Sequence, residues 1–358
     1  MVSFLADREA SAQTGEFNLV GLLVRLENSL NKAGARRLVL DSLNALLSRF
    51  SDDANLRYEI SRIFHWIKEK EITTIVTNER EEREFNRFGL DEYITDCVIH
   101  MDHRVAQQIS KRRLRVVKYR GSTHGADEYP FLILGDGLSI LPITSLGLDS
   151  DAPKDFISTG IEGLDAMLAG KGYYRGSTVL ISGGAGTGKS TVAACIAKNL
   201  CSKGGRSLYL SFEESSSQIV RNMRSVGIDL EGHIKNGLMR IEPIRPGRFG
   251  LEEHLVRVHA IIKDFKPETV VLDPITSFVS LGDTLEVRAM LARLLDFLKG
   301  KGISSILTSL TPGTGSDEET ETAVSSIVDT WIIIRFLRTD RDCQRQIWVH
   351  KARGIGHS

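Results

Sequence analysis

The residues best suited to chemistry lie in TVLISGGAGTGKST at 178–191. An apolar, β-branched run leads into Gly183, Gly184, Ala185, Gly186, Thr187, Gly188, Lys189, Ser190 and Thr191, and the helical pattern VAACIAKNL follows. A Gly-x4-Gly-Lys-Ser spacing between a strand and a helix is that of a phosphate-binding loop. Its glycines let consecutive backbone N–H groups curl around phosphate oxygens with no Cβ in the way, and the helix N-terminus adds partial positive charge. Lys189 is placed to reach the β- and γ-phosphates of ATP, and the Ser190 hydroxyl to ligate Mg²⁺.

Such a metal also needs a carboxylate at a strand end. Asp273, closing TVVLD, has that form about 85 residues downstream and would hold Mg²⁺ directly or through water. LYLSFEES at 208–215 presents Glu213 and Glu214 straight after another apolar strand. One of the two can face a nucleotide and serve as general base, while the pair equally suits solvated acids at the start of the helix SSSQIVRNMRSVG. Lys351 and Arg353 in KARG, and Lys118 and Arg120 in KYRG, are cations one residue apart, so each pair projects to one side of a strand end and could clamp a γ-phosphate. A solvated strand edge is the plainer reading of either pair alone, and the recurrence of K-x-R-G-x-x-H favours the functional one. The histidines show no ligand spacing.

The elements that must position these groups read as alternating α/β. Apolar runs at 38–40, 74–76, 270–272 and 305–307 are bounded by turn residues. Between them lie amphipathic patterns such as LEVRAMLARLLDFLKGKG at 285–302, stopped by Gly300 and Gly302. Continuous apolar strands interleaved with helices predict a parallel sheet covered on both faces. The pattern also repeats. ARRLVLDSLNALLS at 35–48 matches PETVVLDPITSFVS at 267–280, and three further matches follow in the same order, with Asp273 standing 232 residues after Asp41 and Asp329 standing 233 after Asp96. A tandem duplication is expected: residues 1–150 as the back portion of one unit without its phosphate-binding loop, and 151–358 as most of a second, joined around SLGLDSDAPKD. On this reading the chain is a fragment of a longer protein, and the incomplete first copy exposes apolar surface.

Composition narrows the class. With 41% hydrophobic and 26% charged residues in a chain of 358, low-complexity and disulfide-scaffold classes are excluded. Lys plus Arg equals Asp plus Glu at 46 each, so net charge makes no case for nucleic acid or an anionic membrane as partner. No apolar run reaches the roughly 18 residues of a membrane span, and the four cysteines have no CxxC spacing, so a reducing cytoplasm is the expected location.

Together these motifs resemble the KaiC-type family of RecA-like ATPases. STGIEGLDAMLAGKGYYRGSTVLISGGAGTGKST resembles the entry to that family's second ATPase domain, and FEES, VVLD and the twin K-x-R-G-x-x-H segments resemble its catalytic glutamates, metal-binding strand and trans-acting cations. The resemblance spans essentially the whole chain. It implies a two-tiered homo-hexamer using ATP and Mg²⁺, with nucleotide between neighbouring subunits. Lys351 and Arg353, and Lys118 and Arg120 in the first tier, would then reach the next subunit's γ-phosphate, and Glu213 and Glu214 would be the catalytic pair. It further implies serine autophosphorylation at Ser325 and Ser326, whose first-copy counterparts, Glu92 and Tyr93, cannot form a serine pair. Regulatory proteins are possible partners. Three departures stand out: the acceptor pair is Ser–Ser where the clock proteins have Ser–Thr, Pro274 follows the metal-binding Asp, and no regulatory C-terminal segment follows His357, so timekeeping does not follow from the resemblance. Two rival readings are a RecA- or RadA-like recombinase, which lacks support beyond the basic stretch KRRLRVVKYR at 111–120, and a scaffold that binds ATP only to assemble.

Overall fold

The computed structural model describes residues 19–42, 53–79, 94–106, 109–135, 137–140, 153–248, 250–281, 284–311, 324–338 and 343–357. They fall into two compact units: Met1–His100 with Arg115–Asp127, and Met101–Leu114 with Glu128–Ser358. Most of the expected linker and the acidic run at 317–321 lie outside the described residues.

In the first unit, α1 (Leu19–Ala33), β1 (Arg37–Leu40), α2 (Asp53–Glu69) and β2 (Thr73–Val76) alternate. The two strands pair in parallel from Arg37↔Thr73 to Leu40↔Val76. One face is covered, with Leu26, Leu40, Ile63 and Ile67 forming a small core. Val39 and Ile75, pointing the other way, are 61% and 60% exposed. Next in the chain are β3 (Cys97–Ala106), β4 (Ile109–Tyr119), β5 (Tyr129–Leu134) and β6 (Gly137–Ile140), hydrogen-bonded in that order, of which β5 and β6 belong to the second unit.

The second unit carries the candidate site. A short pair, β7 (Phe156–Ile157) and β8 (Tyr173–Tyr174), flanks α3 (Glu162–Met167). There follow β9 (Thr178–Gly183), α4 (Lys189–Ser202), β10 (Ser207–Ser211), α5 (Ser216–Ser225), α6 (Glu231–Lys235), β11 (Met239–Pro243), α7 (Leu251–Phe265), β12 (Thr269–Asp273), α8 (Thr284–Gly300), β13 (Ser304–Leu310), β14 (Thr330–Arg338) and β15 (Cys343–Ala352). The strands form one sheet in the order β11-β10-β12-β13-β9-β14-β15, parallel throughout except for β15 against β14.

The continuous apolar runs have the physical cause expected of them. Successive strand residues face opposite sides, so a sheet covered on both sides favours apolar residues at successive positions. Val179, Ile181, Tyr209, Val271 and Ile332 pack with α4 and α5 on one face. Leu180, Leu208, Leu210, Val270, Leu272 and Ile333 pack with α7 and α8 on the other. Each such side chain contributes roughly 1.5–3 kcal/mol by leaving water. Those two cores hold the strand ends rigid, and the strand ends carry the chemistry.

Candidate active site

Gly183, the last residue of β9, opens the phosphate-binding loop. A Cβ there would run into the backbone carbonyl of Ile334 on β14, and its φ of +155° disfavours any other residue. Gly188 at φ 102° is the N-cap of α4, so Lys189 is the helix's first residue. The loop is held from within. The Thr187 hydroxyl donates to the Gly184 carbonyl at 2.9 Å, and Lys189 Nζ donates to the same oxygen at 2.7 Å. Burial pushes the Lys189 ammonium below its ordinary pKa, while the nearby Asp273 and Glu213 carboxylates work in the opposite direction.

Asp273 ends β12 beside this loop, as the sequence predicted, and is 8% exposed. The Ser190 hydroxyl donates to its Oδ1 at 3.0 Å, so the two residues expected to share a metal are in contact. Two partners were not anticipated. Thr308 on β13 donates its hydroxyl to Oδ1, and Tyr209 on β10 donates its phenol to Oδ2. Burial, then the adjoining Asp273 charge, hold Tyr209 protonated far above its usual range. Ser190 and Asp273 are hard oxygen donors converging beside the phosphate-binding loop, which fits Mg²⁺ shared with phosphate oxygens. Among the described residues no cluster of three or more His, Cys, Asp or Glu could hold a metal by itself.

Glu213 and Glu214 follow β10 on the same sheet edge, both exposed. The helix cap is Ser215, whose side chain accepts from Gln218 N while the Gln218 side chain accepts from Ser215 N. The glutamates therefore precede the cap and do not form it. Glu213 Oε1 accepts from Ser277 at 2.9 Å, and its charge acts on Lys189. Glu214 Oε2 accepts from Asn222 on α5 at 3.2 Å.

The remaining candidates lie elsewhere. Because β15 runs antiparallel, its C-terminal Lys351 stands opposite Trp331, which stands opposite Leu180. Lys351 and Arg353 are thus at the sheet edge where β9 begins, whereas Gly183, Asp273 and Glu213 are where the parallel strands end. Lys351 Nζ donates to the Val328 carbonyl at 2.8 Å and Arg353 Nη2 to the Ser326 carbonyl at 2.9 Å. Burial, then the Arg353 charge, lower the Lys351 pKa, and Asp329 opposes them. Ser325 and Ser326 occupy a 3-10 turn, Val324–Ser326, at this same edge. Ser326 is exposed, and Arg288 Nη2 donates to its Oγ at 3.0 Å.

In the first unit Lys118 lies at the end of β4 and Arg120 directly follows it. Arg120 N donates to Asp96 O at 2.8 Å, with Arg120 Nη1 at 3.5 Å from Asp96 Oδ1. Arg353 N likewise donates to Asp329 O at 2.9 Å, with Nη1 at 3.7 Å from Oδ1. Within the basic stretch at 111–120, Lys111 is 3.8 Å from Glu286, and Arg113 pairs with Glu128 and Glu252 at 3.2 and 3.0 Å. No helix among the described residues is long and apolar enough to cross a membrane.

A family model described as "ATPase: KaiC" matches residues 1–145 and 157–358. The "Circadian clock protein KaiC2" of Synechocystis sp. (strain ATCC 27184 / PCC 6803 / Kazusa) is 43% identical over 97% of this chain and 61% of its own length. "Circadian clock protein KaiC3" of the same strain is 33% identical over 96% of this chain and 69% of its own. The "Circadian clock oscillator protein KaiC" of Thermosynechococcus vestitus (strain NIES-2133 / IAM M-273 / BP-1) is 32% identical over 98% and 68%. The chain thus spans 61% to 69% of the length of these relatives.

Proposed function

Because the chain belongs to the KaiC family of ATPases, we propose that its second unit is a Mg²⁺-dependent, RecA-like ATPase that also transfers phosphate to its own serines, with each site completed by a neighbouring copy. The observation that carries the nucleotide reading is the convergence of Lys189, Ser190 and Asp273 at one sheet edge, with Ser190 Oγ 3.0 Å from Asp273 Oδ1. Loop amides and Lys189 bind the β- and γ-phosphates. Ser190 and Asp273 hold Mg²⁺, which supplies charge neutralisation of the phosphates when bound.

The transfer conserves every atom. The attacking oxygen, from water or a serine hydroxyl, forms a bond to Pγ as the bond from Pγ to the bridging oxygen breaks, and ADP leaves. The proton of the attacking hydroxyl passes to a glutamate. Glu213, oriented by Ser277, is the base on this reading, while Glu214 is tied back to α5 through Asn222.

The division of the sheet supports sharing between copies. Lys351, Arg353 and the Ser325–Ser326 turn lie at the edge opposite their own phosphate-binding loop, so they serve a neighbour's nucleotide. Such a head-to-tail contact closes into a ring, and a hexamer is the form the family resemblance implies. Two features support a duplicated architecture with units at 1–150 and 151–358: β1–β2 repeats the parallel pairing of β12–β13, and Arg120–Asp96 repeats Arg353–Asp329. Lys118 and Arg120 are then the first tier's cations, and a cytoplasmic location accompanies ATP use.

Intact mass after incubation with Mg²⁺ and ATP, beside ADP release, tests the proposal. Mass gained in steps of one phosphate, lost in Ser325→Ala/Ser326→Ala and in Lys189→Ala, is expected. ADP release equal in Lys189→Ala and the unaltered chain refutes the nucleotide site. ADP release without added mass refutes the kinase half alone.

A further inference from the structure

Tyr209 is fully buried on β10, between Leu208 and Leu210, which face the opposite core. Its ring belongs to the apolar cluster on the α4 side of the sheet, and its hydroxyl lies within hydrogen-bonding range of the Ser190 side chain as well as of Asp273. Packing alone asks there for phenylalanine or leucine. The hydroxyl is the one atom such packing does not explain, and a buried tyrosine hydroxyl needs a hydrogen-bond partner. It finds one on the neighbouring strand. Tyr209 stands opposite Val271, and its phenol donates to Oδ2 of Asp273, two residues further along.

The division of the carboxylate gives that bond a purpose. Ser190 and Thr308 both donate to Oδ1, and Tyr209 takes Oδ2. A carboxylate at χ2 is a broad, roughly two-fold rotor, so only partners on both oxygens fix its plane. We propose that Tyr209 is a positioning residue for the metal: its hydroxyl, reaching up beneath the phosphate-binding helix, pins Oδ2 of Asp273 and keeps Oδ1 turned toward Ser190. The inference rests on the reading of Ser190 and Asp273 as the Mg²⁺ holders. Without the hydroxyl, Oδ2 is left buried with an empty acceptor position, and the carboxylate turns to relieve it at the expense of the metal geometry. Orienting partners of this kind, one shell behind a ligand, typically change metal affinity by 10- to 100-fold.

The test measures ADP affinity by calorimetry on the full chain, with EDTA and with Mg²⁺, for the unaltered protein, Tyr209→Phe, Tyr209→Leu and Asp273→Asn. No turnover is required. In the unaltered protein Mg²⁺ tightens ADP binding, and Asp273→Asn abolishes the gain. Tyr209→Phe is expected to keep metal-free ADP affinity within about twofold and to lose about tenfold of the Mg²⁺ gain. Tyr209→Leu, which fills the core without a hydroxyl, behaves alike and stands in should the Phe variant fold poorly. A full Mg²⁺ gain in either folded variant overturns the inference while leaving the metal site intact, even if the melting temperature falls. An equal Mg²⁺ gain in Asp273→Asn and the unaltered protein overturns the metal reading, and this inference with it.

Discussion

A complementation experiment tests the proposed sharing of a site between copies most directly. Two variants are made: Lys189→Ala, which spoils the nucleotide site but keeps the cations, and Lys351→Ala/Arg353→Ala, which does the reverse. Within one chain, Lys351 is level with Leu180, three residues before Gly183 on β9. At roughly 3.3 Å per residue that is about 10 Å along the strands, plus two strand spacings of about 4.8 Å sideways. Lys351 is bonded to a carbonyl at its own edge, so it cannot reach its own γ-phosphate. Loss of a cation acting on the transferring phosphoryl group costs on the order of 10³ in rate, so each variant alone is expected to be nearly silent. In a ring co-assembled from equal amounts, one contact in four unites an intact site from one variant with intact cations from the other. ADP release should therefore return to about one quarter of the unaltered rate. The assay is ADP release after co-expression, with both chains confirmed in one assembly by mass. Co-assembly with no recovery refutes the trans arrangement, and near-full activity of Lys351→Ala/Arg353→Ala alone refutes a catalytic role for the cations.

Further expectations follow from single contacts. Gly183→Ala drives a Cβ into the Ile334 carbonyl at the β9–β14 junction, so it should lose on the order of 3 kcal/mol in urea unfolding together with nucleotide binding. Ser326→Ala should remove at least one added phosphate from the intact mass while ADP release continues, because Ser326 lies at the far edge from Asp273 and Glu213. His259, stacked on Phe297, has its pKa pushed by burial down to about 4 from an ordinary 6.5. Its folded pKa is depressed, so between those values the unfolded chain binds the extra proton and stability falls as pH falls. His259→Phe should flatten that acid loss by roughly 1 kcal/mol, allowing for the ring's partial exposure, as read from urea midpoints at pH 7 and pH 4.5.

The local parts of the site were legible because local chemistry dictates them. A glycine-rich turn between strand and helix has few other uses, and Ser190 and Asp273 met as expected. The alternating cores were legible for the same reason, since a strand apolar at every position must be covered on both faces. What spacing could not convey was which sheet edge a motif occupies. K-x-R-G puts two cations on one side of a strand, but β15's antiparallel run, which carries them away from the loop, depends on long-range pairing. Tyr209, Thr308 and Ser277 were missed because each acts through one hydroxyl on a carboxylate 35 to 64 residues away. A faint signal existed for the first: in LYLSF a tyrosine interrupts the aliphatic residues that pack between sheet and helix.

On the proposed reading, the two sheet edges divide hydrolysis from self-modification. At one edge the buried Lys189 and Asp273 and the half-buried Ser190 are fixed by hydroxyls and the Gly184 carbonyl, which is the preorganisation that charge stabilisation needs. At the other, Ser326 is exposed and held by the more adjustable guanidinium groups of Arg288, on its hydroxyl, and Arg353, on its carbonyl. A neighbour's nucleotide that draws Arg353 toward its γ-phosphate removes the bond from Arg353 to the Ser326 carbonyl. If the proposed trans arrangement holds, approach of the cation and release of the serine turn are one event, and the proposed acceptor is freed only when phosphate is in place. Arg353→Lys, which keeps the charge but not the forked contact, should therefore lower phosphate incorporation more than ADP release. A parallel fall in both would separate the two events and refute the coupling.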